Sequence, residues 1–238
     1  MAEGESGRMD PELPVVRLCV AGMQAEAEGR ADAARELFQQ AWDGARDDYE
    51  ACIAAHYLAR HQNSAEQTLR WNQECLDRAD RVGDARVQGF YPSLYINMGN
   101  AYRELGQRAA AHRYFVLAAE RAADAPEGQY GDWNRFAVAE GLRETAAATA
   151  VEGDEAAAAR GGVREEAEGP LRELFARWCG RGDLKALGLT LPAYLGFLGT
   201  DEDRVRLRSA LHMVHAARWL PDDEQTVLED AMGALAAR

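Results

Sequence analysis

One spacing of small and aromatic residues, repeated along the first half of the chain, restricts the fold more than any other feature of its 238 residues. Its fullest copy is Tyr95, Met98, Gly99, Tyr102, Ala111, Phe115 and Ala118. The same spacing recurs at Leu18, Ala21, Gly22, Ala25, Ala34, Phe38 and Ala41. A degenerate copy occupies Cys52, Ala55, His56, Ala59, Thr68, Asn72 and Cys75, which puts 34 residues between Leu18 and Cys52. The physical reason for such a pattern is close helix packing. Two antiparallel helices approach only where side chains are small, and an aromatic ring then fills the space beside them. Each copy also carries a turn between its two halves: Gly29-Arg30, Gln62-Asn63-Ser64 and Gly106-Gln107. Valine, isoleucine and threonine are sparse, no stretch alternates apolar and polar for long, and Ala, Leu, Arg and Glu dominate. The expectation is an all-α chain without a sheet.

This spacing resembles the tetratricopeptide repeat, over roughly residues 15–123. The resemblance implies a solenoid of three helical hairpins. From Cys52 to Tyr95 the separation is 43 residues, not 34, and the helix Ala65–Val82, ended by Gly83-Asp84, looks long. That variant is similar to the longer-helix repeats of bacterial peptide receptors and scaffold proteins. Those receptors often begin with a helix-turn-helix, which residues 1–14 are too few to form. In tetratricopeptide folds the first helix of each repeat lines a concave groove. The resemblance, with helical phase, places Tyr57, Arg60, Asn97, Asn100 and Arg103 there. Asn97, Asn100 and Arg103 lie one turn apart on one face. Asparagine amides can pair with the N–H and C=O of an extended peptide, and arginine can grip a carboxylate or phosphate with two bonds. Solvated groove residues would look the same. The family's clamp for acidic C-terminal tails needs Lys, Asn, Lys and Arg at set positions. The first repeat offers Val16, Cys19, Val20 and Met23 instead, so the groove suits a ligand with an apolar end and a polar or anionic end.

Beyond the repeats, Gly131-Asp132 reads as the N-cap of a helix carrying Trp133, Phe136, Ala137 and Leu142, and residues 132–149 as a cap over the open end of the stack. Residues 150–169, rich in Ala, Glu and Gly, read as an acidic linker in which Glu155–Arg160 is at most a frayed helix. A C-terminal helical unit occupies 170–238. Its first helix shows one face at Leu171, Leu174, Phe175, Trp178 and Cys179. Thr190-Leu191-Pro192 opens a short apolar segment to Leu198. Thr200 and Asp203 form a cap before Leu207, Ala210, Leu211 and Val214. Pro221 starts a last helix whose positive end holds Asp222, Asp223 and Glu224. The prolines fall at segment edges, with Pro92 either opening a helix or kinking one. Residues 1–14 read as a disordered tail.

Composition removes several function classes. Acids outnumber bases 40 to 27, for a net charge of −13, and the bases are scattered. A protein that neutralises nucleic-acid phosphates or binds an anionic membrane surface is not expected. No signal peptide opens the chain and no apolar run approaches a membrane span, so the cytoplasm is the expected compartment. Cys19, Cys52, Cys75 and Cys179 form no C-x-x-C pair and read as buried, reduced thiols. His212 and His215 sit at a metal-compatible spacing without a third ligand, and His56 and His61 are a weaker case still, so no metal or other cofactor is expected. Trp42, Trp71, Trp133, Trp178 and Trp219 fall beside apolar faces and read as packing. No phosphate loop, dinucleotide fingerprint, nucleophile elbow or H-E-x-x-H is present, so an enzyme is not expected. The function expected is a protein- or peptide-binding adaptor or regulator acting through the repeat groove. A sensor of a small molecule or signal peptide is the alternative from another class, and a self-associating structural protein is the third.

Overall fold

The computed structural model describes residues 9–150 and 165–236, and among them every regular element is helical. The chain divides into two compact units, Met1–Asn134 and Arg135–Arg238.

In the first unit, the three copies of the spaced pattern fall on three helical hairpins. α1 (Pro14–Ala27) packs on α2 (Ala31–Asp43), α3 (Asp48–Leu58) on α4 (Ala65–Val82), and α6 (Tyr91–Glu104) on α7 (Arg108–Glu120). The turns are the expected ones. Gly29 and Gly106 take positive φ of 75° and 72°, and Ser64 caps α4 by accepting from the Gln67 N–H. Asp47 caps α3 in the same way through the Glu50 N–H. Pro92 lies in the first turn of α6, so it opens that helix.

The small–aromatic logic is visible atom by atom. A Cβ on Gly22 would stand 2.3 Å from the Phe38 ring, and one on Gly99 would stand 2.9 Å from Phe115. Both phenylalanines are wholly buried. In the middle hairpin the corresponding places hold His56 and Asn72, so the interlock is replaced by two polar side chains. Cys52 and Cys75 meet instead, Sγ to Sγ at 3.6 Å, and the Cys75 thiol donates to the Cys52 carbonyl at 3.2 Å.

The extra residues before the third copy have a definite place. α4 runs five turns to Gly83, whose φ of 61° ends it, and α5 (Ala85–Gln88) follows, capped by Asp84. Val87 of α5 is buried in the same apolar cluster as Cys52, Cys75 and Leu94. α6 therefore meets the preceding hairpin chiefly through α4, and clefts open between α3 and α6.

α8 spans Gln129–Ala150, so it starts before the expected Gly131-Asp132 cap, and from Arg135 onward it belongs with the second unit. The domain division thus falls after Asn134, not after residue 149. Trp133 is not a packing residue: it is 55 % exposed.

The second unit adds α9 (Glu165–Arg181), α10 (Leu184–Leu195), α11 (Asp201–Ala216) and α12 (Asp222–Ala236). The expected linker over 150–169 is corrected at its C-terminal end, because α9 begins at Glu165. The reason is that Ala167 continues the Leu171–Leu174–Trp178 stripe back by one turn and is fully buried. Residues 151–164, including Glu155–Arg160, lie outside the described residues, as do residues 1–8 of the expected tail. Pro170 and Pro192 lie inside α9 and α10, not at segment edges. Thr190 is buried in α10 and donates to the Ala186 carbonyl at 2.8 Å, so it does not open a segment. Cys179 is exposed, unlike the other three thiols, because it lies at the edge of the α9 stripe, next to the buried Trp178.

Two buried acids organise this unit. Glu224, at the start of α12, accepts from the Trp178 indole at 2.8 Å and from both terminal nitrogens of Arg181. The Arg181 guanidinium holds its carboxyl below the usual range. Asp203 completes the expected capping box with Thr200. It also accepts from the Leu198 N–H at 3.0 Å and pairs with Arg135 of α8, whose Nε donates to the Gly196 carbonyl at 2.8 Å.

Candidate functional site

Two clefts meet at Arg60. The first, of about 360 Å³, lies between the end of α3, the turn into α4 and the exposed side of α6. Arg60, Asn63, Thr68, Asn97, Asn100 and Glu104 line it. Three of the five residues read from the sequence are therefore brought together. Asn97 and Asn100 sit one turn apart because α6 is helical there, and both are half-buried.

The second cleft, of about 680 Å³, is lined by Met23 of α1, by His56, Tyr57 and Arg60 of α3, by Phe90 and Ser93 at the start of α6, and by Tyr130 of α8. Tyr57 shows only an edge to it. Its ring is 8 % exposed and stacks on Phe38 at 5.3 Å, so packing is its main role. Burial raises its phenol pKa. Arg103 lines neither cleft and is half-buried, so it stands apart from the other four.

Arg60 does not stand alone. It donates to Glu26 at 3.1 Å, and its guanidinium lies 5.8 Å from the centre of the Tyr57 ring. His61 Nε2 approaches the other oxygen of Glu26 at 2.6 Å. Glu26 and Arg60 are 34 residues apart, so they hold the same position in successive copies. Sequence reasoning missed Glu26, although that period and its place one turn beyond Met23 were the signal. The apolar set on α1 is split: Val16 and Cys19 are buried, Met23 reaches the second cleft, and Val20 is 53 % exposed.

His56 was the least legible member. Its Nδ1 is buried without a hydrogen-bond partner, and its ring meets Tyr57 and Phe90 edge-on at 5.5 and 5.3 Å. Burial, aided by the positive charge of Arg60, lowers its pKa to about 4. The imidazole is therefore neutral at pH 7 and presents a polar edge with no charge.

Burial raises the Cys19 thiol to about 12 and Cys75 well above its ordinary value, which suppresses the thiolate a nucleophile needs. His215 Nε2 lies 2.8 Å from Glu229, His212 is exposed, and no group of three metal-ligating side chains occurs among the described residues. No helix among them is long and apolar enough to cross a membrane. No protein-family model, curated protein or solved structure matches the chain, so its functional reading rests on its own residues.

Proposed function

We propose that residues 14–120 form a tetratricopeptide-type solenoid that holds an extended protein or peptide segment against the first helices of its hairpins, as an adaptor or regulator. The observation that carries this reading is the cleft shared by Arg60, Asn97 and Asn100. It aligns one guanidinium and two amides along an open channel between successive copies. Amides offer both a donor and an acceptor, which is what a peptide backbone requires. The Glu26 contact neutralises part of Arg60, so the channel suits a largely neutral backbone better than a cluster of acids. The free thiols of Cys52 and Cys75, in hydrogen-bond contact and not joined by a disulfide, suit a reducing compartment such as the cytoplasm.

The reading is tested by selecting binders to the full chain from a random-peptide display library. Their affinities are then measured by fluorescence anisotropy for the wild type and for the triple variant Arg60→Ala, Asn97→Ala, Asn100→Ala. These three side chains are half-buried or exposed, so the variant should keep its helical circular dichroism. A loss of about 100-fold is expected from three missing hydrogen-bonding groups. Selected peptides that bind both proteins equally would refute the assignment. A second reading, a sensor of a small molecule, is favoured by the larger cleft at His56.

A further inference from the structure

The larger cleft has a definite chemical character. Its lining includes four rings and two thioethers, from His56, Tyr57, Phe90, Tyr130, Met9 and Met23, with Gln88 and Ser93 adding neutral polar groups. Aromatic edges and faces attract another ring more than a saturated group of equal size, and methionine sulfur adapts to ring edges. The charges at its rim are already answered within the unit. Arg60 pairs with Glu26 at 3.1 Å, Arg86 with Asp84 at 2.8 Å, and Asp124 with Arg121 at 3.1 Å. A charged ligand group therefore meets countercharges that are already partly neutralised, and an uncharged one needs none. A polar demand is left over in its wall: the Nδ1 of His56 is buried without a hydrogen-bond partner. A volume of about 680 Å³ is ample for a single ring with its substituents. At the mouth, Tyr130 is 48 % exposed and stacks on the exposed Trp133, with ring centres 6.1 Å apart. An aromatic surface therefore leads into an aromatic-walled cleft.

We infer that this cleft binds an uncharged aromatic ring bearing one hydrogen-bonding group, a phenol or an indole, whose O–H or N–H pairs with His56. The ring has two sources. As a tyrosine or tryptophan side chain of a bound peptide it rests on the function proposed above and names that peptide's anchor. As a free small molecule it does not depend on that function.

Saturation-transfer NMR on the full chain tests the inference, with para-cresol as the probe. Toluene, which lacks the hydroxyl, and methylcyclohexanol, which lacks the aromatic ring, are the controls. Para-cresol is expected to bind about tenfold more tightly than either. Tyr130→Ala should weaken it severalfold, and the half-exposed position makes that variant safe for folding. Tyr130→Leu, which keeps apolar bulk, should weaken it as well. A capped Gly-Tyr-Gly peptide, compared with capped Gly-Leu-Gly, separates the sources. Tighter binding of the tyrosine peptide than of para-cresol assigns the ring to a peptide, and the reverse assigns it to a free molecule; either supports the inference. No saturation transfer to para-cresol or the tyrosine peptide at millimolar concentration overturns it, as does equal binding of toluene or of methylcyclohexanol. Neither negative result touches the Asn97–Asn100 cleft, whose own test uses selected peptides and different variants.

Discussion

Gly22→Ala is expected to destabilise the first unit by about 2 kcal/mol, although alanine is the better helix former. The added methyl would stand 2.3, 2.7 and 2.8 Å from three atoms of the Phe38 ring, which is wholly buried and stacked on Tyr57. The ring is held between Tyr57 and His61, with centres 5.3 Å away on each, so relieving the clash disturbs either that stack or the fit of the two helices. That overpacking costs more than the roughly 1 kcal/mol that alanine contributes in a helix interior. Gly99→Ala is the internal comparison. Its methyl would lie 2.9 to 3.1 Å from Phe115, so that ring must move several tenths of an ångström less than Phe38 must. Its net change is expected to stay within about 1 kcal/mol. Urea unfolding of both variants measures the difference. Adding Phe38→Leu to Gly22→Ala should lose less than the sum of the two single changes, because the clash partner is then smaller. Equal, small effects for the two glycines would refute the interlock.

Asp203→Ala should cost more, about 4 kcal/mol, and should act on the second unit. The carboxylate is 1 % exposed and serves four donors: the Leu198 and Thr200 N–H groups, the Thr200 hydroxyl and Arg135. Alanine leaves two backbone N–H groups without their acceptor, removes the α11 capping box and strands the Arg135 guanidinium. Asp203→Asn should fall between, since an amide keeps one acceptor oxygen but loses the charge that Arg135 answers. Thermal unfolding followed by circular dichroism gives the order wild type, Asn, Ala. An Asp203→Ala protein as stable as the wild type would mean that the α10–α11 turn is held by something other than this carboxylate.

How much of this was legible depended on distance along the chain. The Gly22–Phe38 and Gly99–Phe115 interlocks, the Thr200–Asp203 box and the Gly29 and Gly106 turns are local. Residues within one hairpin or one helix turn carry them, and their spacing announces them. Asn97 and Asn100 were legible because one helix turn puts them side by side. Arg103 was read with them from the same period, yet it lines neither cleft, because three residues per step drifts around a helix of 3.6 residues per turn. Arg135 was illegible: its partners, Gly196 and Asp203, lie 61 and 68 residues away with no pattern linking them. The start of α9 was hidden because the composition that solvates a linker, Glu and Ala, also suits the first turn of a helix. The cleft at His56 was hidden for a topological reason. It exists because the longer α4 and the short α5 lead α6 onto α4, and a histidine in the glycine place of a weak repeat looks like decay of the motif.

The most direct measurement of the central claim is amide mapping by NMR. The full chain, labelled with nitrogen-15, is titrated with a peptide from the display selection, and the side-chain amides of Asn97 and Asn100 are followed with the backbone amides. If the peptide lies in the shared cleft, the Asn97 and Asn100 side-chain signals shift together with the backbone of Arg60, Asn63 and Glu104, while those of α11 and α12 stay in place. Shifts confined to residues 165–236, with Asn97 and Asn100 unmoved, would contradict the account and move the binding surface to the second unit.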